Sequence, residues 1–399
     1  MRTLIVSDLH LGGRAGVDLL RAPAPRAALL EALQDDIDRL VLLGDVLELR
    51  HGPRHEALAA ARPFFEELGR AFAGREVVVL AGNHDHALIE PWLERRSELP
   101  AAPPLGLEQR IEPSAASTML AQLAAWAEPA RLTTAYPGLW VREDVYATHG
   151  HYLDCHLTIP TLERLGIGTM GRIMRRPARD FARPDDYEAV TVPVFAWVDA
   201  IARQAPTGDA LNGGLTVRAW KAFGGGHGRA GRAAGSPAAN GEPPADVSDG
   251  RGAAMRVVTR ALRDRFLASA FPLGVAALNR AGFGPFNADL SPGELRRAGL
   301  RAMGEMALRL GLGDAYVVFG HTHRAGPLPG DRDGEWRNAG GARLVNTGCW
   351  TYDSYFLGSA PSDNPYWPGS CVIVDDHGPP VVRRLLAEHT RAELAPAYA

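Results

Sequence analysis

Short apolar runs alternate with longer amphipathic stretches in the first third of the chain. Thr3–Ser7, Arg39–Leu43 and Glu76–Ala81 are rich in Val, Ile and Leu and give way to polar residues or glycine, which is typical of buried strands. Between them, Pro25–Asp36 and His55–Ala73 carry apolar residues at helical spacing. This alternation predicts a doubly wound α/β core whose functional residues lie on the loops that follow the strands.

The strand pattern continues on both sides of a long interruption. Further strands are predicted at Leu107–Glu112, Gly138–Thr148, Ala315–Phe319, Ala342–Asn346, Ser370–Asp375 and Val381–Leu385, with a helix at Thr118–Glu128. Between 152 and 311 the pattern is mainly helical, so we predict a core formed by 1–151 and 312–399 with an insertion over 152–311. Within the insertion, residues 224–252 are dominated by Gly, Ala, Pro and Ser, a composition that predicts a disordered surface loop.

The distribution of charge is more informative than its total. Of the 399 residues, 46% are hydrophobic, which is ordinary for a globular protein. The formal net charge of −3 is unlike that of a nucleic-acid-binding protein. Residues 160–310, however, contain 21 basic and 14 acidic residues, a net charge of +7. The insertion therefore either faces an anionic partner or balances an acidic core.

The N-terminus and the cysteines bear on the compartment. The first eight residues contain no long apolar segment and no small-residue cleavage site, so they do not predict a signal peptide. No stretch of the sequence approaches the roughly 18 apolar residues of a membrane span. Three cysteines are too few for a disulfide framework and suit a reducing compartment. We therefore expect a cytoplasmic protein.

Five short polar motifs each follow a predicted strand. They are Asp8-Leu9-His10, Gly44-Asp45, Gly82-Asn83-His84-Asp85, His149-Gly150-His151 and Gly320-His321-Thr322-His323. One such motif alone is more typical of a turn or a cap, but five in series can direct their side chains to a common point. Two divalent ions about 3.5–4 Å apart need a bridging carboxylate, with imidazoles and carboxylates around it. A nitrogen and oxygen set without thiolate suits Mn, Fe, Zn or Co.

Spacing within two of the motifs adds a geometric expectation. Alternate residues that leave a strand point the same way, so Asp8 and His10 can reach one ion. His321 and His323 repeat that spacing, although a turn could instead send each imidazole to a different ion. The sequence leaves these two arrangements open.

This series of motifs resembles the calcineurin-like metallophosphoesterase superfamily in both content and order. The resemblance covers roughly residues 1–150 and 312–385. It implies a two-sheet β-sandwich flanked by helices, an α/β fold, with the insertion as a mainly helical cap. It also implies two divalent metal ions at the strand ends, with manganese preferred to iron, zinc or cobalt.

The resemblance assigns a role to each motif residue. The ligands of the first metal would be Asp8, His10, Asp45 and His323, with Asp45 as the bridge. The second metal would be completed by Asn83, His149 and His321. The catalytic pair would be His84, which donates to the phosphate or protonates the leaving group, and Asp85, which lies behind the ligands.

The implied reaction is metal-assisted hydrolysis of a phosphoester or pyrophosphate bond, with a metal-bridging hydroxide attacking phosphorus in line. The sharper resemblance is to the UDP-2,3-diacylglucosamine pyrophosphatase branch, through Ser7-Asp8-Leu9-His10-Leu11, the segment 44–48 and the capping insertion. The chain departs from that branch at His84, where arginine is usual, and at His151, where aspartate is usual. Its insertion is also much longer.

Substrate contacts are predicted next to the ligand motifs. The candidates are His151, Asp154, His156 and Arg324. Ordinary local polar contacts explain the first three equally well. Residues 157–176 mix Leu, Ile and Met with clustered arginines, so this segment either touches lipid or packs on the core as a cap helix.

Three functions stay open from the sequence. The first is hydrolysis of a phosphorylated or nucleotide-linked lipid, with no nucleic-acid partner and with peripheral contact at the inner membrane face. The second is a general phosphodiesterase or phosphatase that acts on soluble nucleotides. The third is a non-catalytic metal-binding scaffold, against which stand eight intact motif positions: Asp8, His10, Asp45, Asn83, His84, His149, His321 and His323.

Overall fold

The computed structural model describes residues 1–13, 17–204, 273–289, 291–352, 357 and 364–395. The loop predicted at 224–252 lies outside these residues, as does the middle of the predicted insertion. Division of the chain into a core and a cap therefore stays a prediction.

Ten strands of the described residues form one hydrogen-bonded sheet. They are β1 (Thr3–Val6), β2 (Arg39–Leu43), β3 (Glu76–Leu80), β4 (Glu108–Ile111), β5 (Arg131–Arg142), β6 (Val145–Thr148), β7 (Tyr316–Phe319), β8 (Arg343–Asn346), β9 (Ser370–Val374) and β10 (Val381–Arg384). Their order is β10-β9-β1-β2-β3-β5-β6-β7-β8, and β4 pairs with β5.

Helices connect most of these strands. The α-helices are α1 (Pro23–Ala32), α2 (Arg54–Ala71), α3 (Glu90–Ser97), α4 (Pro113–Ala116), α5 (Thr118–Trp126), α6 (Leu162–Ile173), α7 (Pro184–Gln204), α8 (Pro292–Arg309) and α9 (Arg391–Leu394). Residues 273–280 are also helical. Short 3-10 turns occupy Leu19–Arg21, His86–Leu88, His151–Cys155, Ala178–Asp180 and Asp333–Trp336. No helix in the described part of the chain has the length and apolar character needed to cross a membrane.

The strand directions bring the motif loops to one edge. β1, β2, β3 and the first part of β5 run parallel, and helices lie in each connection between them. β6, β7 and β8 are likewise parallel to one another. Because the carboxyl ends of parallel strands meet at a common edge, the loops after β1, β2 and β3 lie side by side there.

β5 joins the two groups of parallel strands and corrects the sequence prediction. Arg131–Thr134 pairs with β3, whereas Gly138–Arg142 pairs antiparallel with β6. The prediction of one strand over Gly138–Thr148 is therefore wrong, because a turn separates β5 from β6. The first half of β5 was not predicted, because Pro137 lacks an N–H and interrupts the strand pattern. In the structure, Pro137 sits where β5 passes from one partner strand to the next.

Both faces of the parallel strands are buried, as their continuous apolar sequences predict. Leu4 and Val6 pack in a cluster with Phe65 of α2, because alternate side chains of β1 point to opposite faces. Ile5, between them, packs in a second cluster with Val318 of β7. This second cluster takes side chains from both groups of strands. The mixed α/β class is confirmed, while the arrangement as two separate facing sheets stays a prediction.

Candidate metal centre

Unusual backbone geometry marks the motif loops. Of the described residues, seven other than glycine have positive φ, and five of these are predicted metal ligands: Asp8 (55°), His10 (45°), Asp45 (50°), His321 (65°) and His323 (59°). Residues with a Cβ rarely adopt this left-handed conformation, and it persists only where the surrounding structure enforces it. Backbone strain is thus concentrated in the loops after β1, β2 and β7.

The first group of ligand atoms comes from Asp8, His10 and His323, which lie within 4.8 Å of one another. His323 Nε2 is 3.2 Å from Asp8 Oδ1, and His10 Nε2 is 3.9 Å from the same oxygen. Asp8 Oδ1 and His10 Nε2 are buried and have no hydrogen-bond partner among the described residues. Because burying unpaired polar atoms costs free energy, this pair fits a cation placed between them.

The second group of ligand atoms comes from Asp45, His149 and His321, which also lie within 4.8 Å of one another. Asn83 Oδ1 is 3.1 Å from His149 Nε2 and 3.0 Å from His321 Nδ1. His149 Nε2 is also 3.3 Å from Asp45 Oδ2. The other ring nitrogen of His149 is fixed by the carbonyl oxygen of Leu43, 3.0 Å away, so that Nε2 faces the group.

The pKa values of the carboxylates and imidazoles show that the site favours positive charge. Burial acts to raise the pKa of Asp8, but the charge of the neighbouring His323 lowers it to about 2. Burial likewise acts to lower the pKa of His149, but Asp45 raises it to about 9. Protons on the imidazoles therefore balance the carboxylates here, and a metal ion would displace those protons.

Comparison with known proteins bears on the same loops. Residues 1–180 match the model of the calcineurin-like phosphoesterase family. The match supports the superfamily and, with it, a metal-dependent phosphoesterase. It contains β1–β6 and five of the predicted ligands, whereas His321 and His323 lie beyond it. No match was found among curated proteins. The pyrophosphatase branch stays a prediction.

Glu48 is a residue of the candidate metal centre to which the sequence analysis gave no role of its own. Its carboxylate lies 3.1 Å from His10 Nδ1 and 2.8 Å from His84 Nδ1, and accepts a hydrogen bond from the backbone N–H of Arg50. It is buried, and its partners hold its pKa well below the usual value, against burial, which acts to raise it. By fixing Nδ1 of His10, Glu48 turns Nε2 toward the first group. Its position three residues after Asp45, on the same loop, is the signal that could have found it.

Asp85 lies behind the ligands, fully buried. Its carboxylate accepts hydrogen bonds from the backbone N–H groups of Gly82 (2.7 Å), Asp45 (3.2 Å), Val46 (2.7 Å) and Leu47 (3.2 Å). Burial, aided by the charge of Asp45, raises its pKa to about 6. Asp85 therefore ties the loop after β3 to the loop after β2, and acts as a positioning residue.

Of the predicted substrate residues, Asp154 lies within hydrogen-bonding distance of a predicted ligand, and His151 packs beside His149 with 5.6 Å between their ring centroids. The two carboxylate oxygens of Asp154 lie 3.1 and 3.2 Å from His321 Nε2, so Asp154 orients that imidazole. His151 is buried with neither ring nitrogen hydrogen-bonded. His156 Nε2 lies 2.8 Å from the hydroxyl of Tyr187, away from the ligands.

Arg324 is held apart from the ligand groups by its own ion pair. Its guanidinium lies 2.5 Å from Asp331 Oδ1 and over the ring of Trp336. Arg324 lines the wall of a cavity that begins at His321, but its charge is already neutralised. Contact between Arg324 and a substrate phosphate stays a prediction.

Proposed function

We propose that this chain is a dinuclear metal-dependent hydrolase of phosphoester or pyrophosphate bonds. The observation that carries the proposal is the position of Asp45. Its Oδ2 atom lies 3.7 Å from His10 Nε2 in one ligand group and 3.3 Å from His149 Nε2 in the other. A carboxylate that faces both groups is what a bridging ligand requires.

The residues present fit two divalent ions. One ion would be held by Asp8, His10, Asp45 and His323, and the other by Asp45, Asn83, His149 and His321. The unpaired, buried Asp8 Oδ1 and His10 Nε2 support this fit. The oxygen and imidazole donors suit manganese, and also iron, zinc or cobalt. When bound, such ions supply Lewis acidity toward phosphoryl oxygens and activate water.

His84 is placed to move a proton at the edge of the site. Its ring is 20% exposed and stands 4.6 Å from the buried ring of His10, measured between centroids. Burial lowers the pKa of His84 to about 4, although Glu48 acts to raise it. The negative charge of a bound phosphate would raise the pKa of His84 above this value. We infer that His84, charged in this way, donates a proton to the leaving oxygen or a hydrogen bond to the phosphate.

The substrate that we propose is a phosphorylated or nucleotide-linked lipid. A cavity of about 270 Å³ begins at His321 and runs along α8. Most of its wall is apolar and includes Leu153, Leu157, Ile159, Leu295 and Leu300. A cavity of this kind suits an apolar group attached to the reacting phosphate.

The same proposal places the protein in the cytoplasm, in contact with the inner membrane face through the end of α6. Ile173 is 71% exposed and Met174 is 41% exposed. Both lie between arginines, Arg172 on one side and Arg175 on the other. Exposed apolar side chains among cations suit an anionic membrane surface.

The test is hydrolysis by manganese-loaded protein, with metal content measured on the same sample. The panel contains bis-p-nitrophenyl phosphate, p-nitrophenyl phosphate, a UDP-sugar, a cyclic nucleotide and a phospholipid monoester. We expect two bound ions and turnover of the phospholipid above the soluble esters. Broad turnover of the soluble esters would replace the lipid with soluble nucleotides. Two ions without turnover of any ester would favour a metal-binding scaffold.

A further inference from the structure

A second cavity, of about 670 Å³, lies on the other side of the segment 153–157 from the cavity that begins at His321. Leu157 lines both cavities, whereas Asp154 lines the first and His156 the second. We call the second one the arginine cavity. None of the residues that line it is a predicted metal ligand.

The arginine cavity has a strong excess of positive charge. Six arginines line it: Arg164, Arg172, Arg175, Arg176, Arg179 and Arg309. Glu305 is the acidic side chain of its described lining, and it is paired with Arg309 at 2.6 Å. Arg176 and Arg179 approach carboxylates outside the lining only at 3.7 and 3.8 Å, on exposed side chains where such pairs contribute little.

Arg164 is the most informative member of the set because it is buried. It is 7% exposed, and its Nε donates a hydrogen bond to the carbonyl oxygen of Leu157 at 3.0 Å. Its guanidinium also lies over the ring of Phe286. The described residues offer its two terminal nitrogens no hydrogen-bond acceptor. These two nitrogens can therefore donate hydrogen bonds to an anion bound in the cavity.

Local geometry holds a second guanidinium at the same cavity. Arg172 lies 4.2 Å from the ring centroid of Phe283 and donates to the carbonyl oxygen of Ala281. Gly282 makes room for it, since a Cβ there would fall 2.6 Å from Arg172 Nη2. The positive potential is also felt by His156, whose pKa is lowered to about 3 by burial and by the charges of Arg309 and Arg164.

We propose that the arginine cavity is a second phosphate-binding site, outside the metal centre. Planar guanidinium groups bind phosphate oxygens through paired hydrogen bonds, and several together balance its charge. The phosphate belongs to a lipid headgroup or to a soluble phosphate compound. The site does not depend on the proposed hydrolysis, since it shares no residue with the metal ligands.

The experiment uses the full chain stripped of metal, so that phosphate cannot bind through the ions. Inorganic pyrophosphate is titrated calorimetrically, and vesicles of phosphatidylcholine with or without phosphatidic acid are tested by co-sedimentation. We expect Arg164→Gln to weaken binding of the phosphate ligand by about tenfold or more, the loss of one charge-assisted hydrogen bond. Arg62→Gln, on the exposed face of α2, is the matched control and keeps full affinity.

A second variant keeps the test valid if Arg164→Gln, a substitution at a buried position, fails to fold. Arg175 and Arg179 are exposed, so the double variant Arg175→Gln/Arg179→Gln keeps the fold and should also weaken binding. Loss of pyrophosphate binding in these variants supports a soluble ligand. Loss of binding to phosphatidic acid vesicles alone supports a lipid headgroup. Unchanged binding of both probes in the double variant and in folded Arg164→Gln, or no binding by the parent protein, would overturn the proposal.

Discussion

His149 and His151 lie two residues apart on one loop, yet their surroundings differ. His149 has both ring nitrogens directed, one by the Leu43 carbonyl and the other toward Asp45. His151 is equally buried, but it packs against the rings of Tyr152 and Phe195 with neither nitrogen hydrogen-bonded. Burial and repulsion from His149 lower the pKa of His151 well below its usual value. A histidine becomes a candidate ligand through its partners, which its place in the motif does not reveal.

The contrast extends to the regions around the two histidines. The candidate metal centre rests on loops with strained backbone, and its carboxylates and imidazoles face one another. Beside His151 lies the Glu188 cluster, which we define as Glu188, Tyr136, Tyr152 and His86. Glu188 comes from α7 and accepts hydrogen bonds from the hydroxyls of Tyr136, at 2.5 Å, and Tyr152. None of these four residues has a positive φ. The cluster therefore connects α7 to β5, whereas the loops of the metal centre present atoms to a ligand.

The largest expected effect comes from Asp45→Asn, because this variant removes the charge that lies beside both His10 and His149. Hydrolysis should fall by about a thousandfold or more, with loss of bound metal. Metal content and turnover are measured together. His151→Leu is the matched control and should keep its metal. Near-normal turnover of Asp45→Asn would contradict the bridging position.

His84→Ala should come next, at about a hundredfold slower hydrolysis with both ions retained, since general acid catalysis contributes roughly that much. The loss should be greater for esters with poor leaving groups, which need the proton most. The difference is measured by comparing the hydrolysis rates of p-nitrophenyl and alkyl phosphates. A fall in metal content would instead make His84 a ligand.

Glu48→Gln should reduce metal affinity by about 10- to 100-fold, the range for partners that orient a ligating histidine. It keeps the size of the side chain but removes the charge that His10 and His84 share. Metal titration of the variant checks this. If Glu48→Gln binds metal as the parent does, the orientation of His10 depends on its own loop.

Glu188→Ala tests the structural role of the Glu188 cluster. It leaves the buried hydroxyls of Tyr136 and Tyr152 without an acceptor, so the free energy of unfolding should fall by about 2 kcal/mol. Metal content should not change. Denaturant unfolding and metal analysis of one preparation measure both. Loss of metal would mean that the Glu188 cluster and the metal centre form one unit.

A last effect is a dependence on pH in the metal-free protein. The pKa of His149 rises from 6.5 to about 9 on folding, so protonated His149 stabilises the fold fully below pH 6.5. That contribution is lost as the pH rises toward 9, while metal affinity increases over the same range because fewer protons must leave. His323 shifts in the same direction. Unfolding of metal-free protein across this range measures the slope, and His149→Gln should flatten it.

Much of the site could be predicted because its motifs are local. Each ligand motif follows a strand whose apolar run is visible in the sequence, as at Thr3–Val6. The unresolved choice for His321 and His323 was decided by backbone conformation. Both residues have left-handed φ, and the loop sends His323 to Asp8 and His321 to Asn83. Spacing alone does not carry that information.

What could not be predicted depends on contacts between distant segments. Glu48 is one acidic residue in a loop until folding brings His10 and His84 to it. Likewise, no sequence pattern indicates that Arg324 pairs with Asp331. Glu188 similarly gains its role only when α7 packs beside β5.

The pairing of β1 with β9 ties an early segment of the chain to a late one. Thr3 pairs with Val374 across β1 and β9, and the first ligand group joins Asp8 to His323. During synthesis, Asp8 leaves the ribosome long before His323 is made, so the first ligand group cannot form until most of the chain has been synthesised. Pairings so distant in sequence form late and slowly. Metal bound at the proposed site would therefore report that the polypeptide has been made through His323 and folded, and a product that ends before His323 would not bind it in this way.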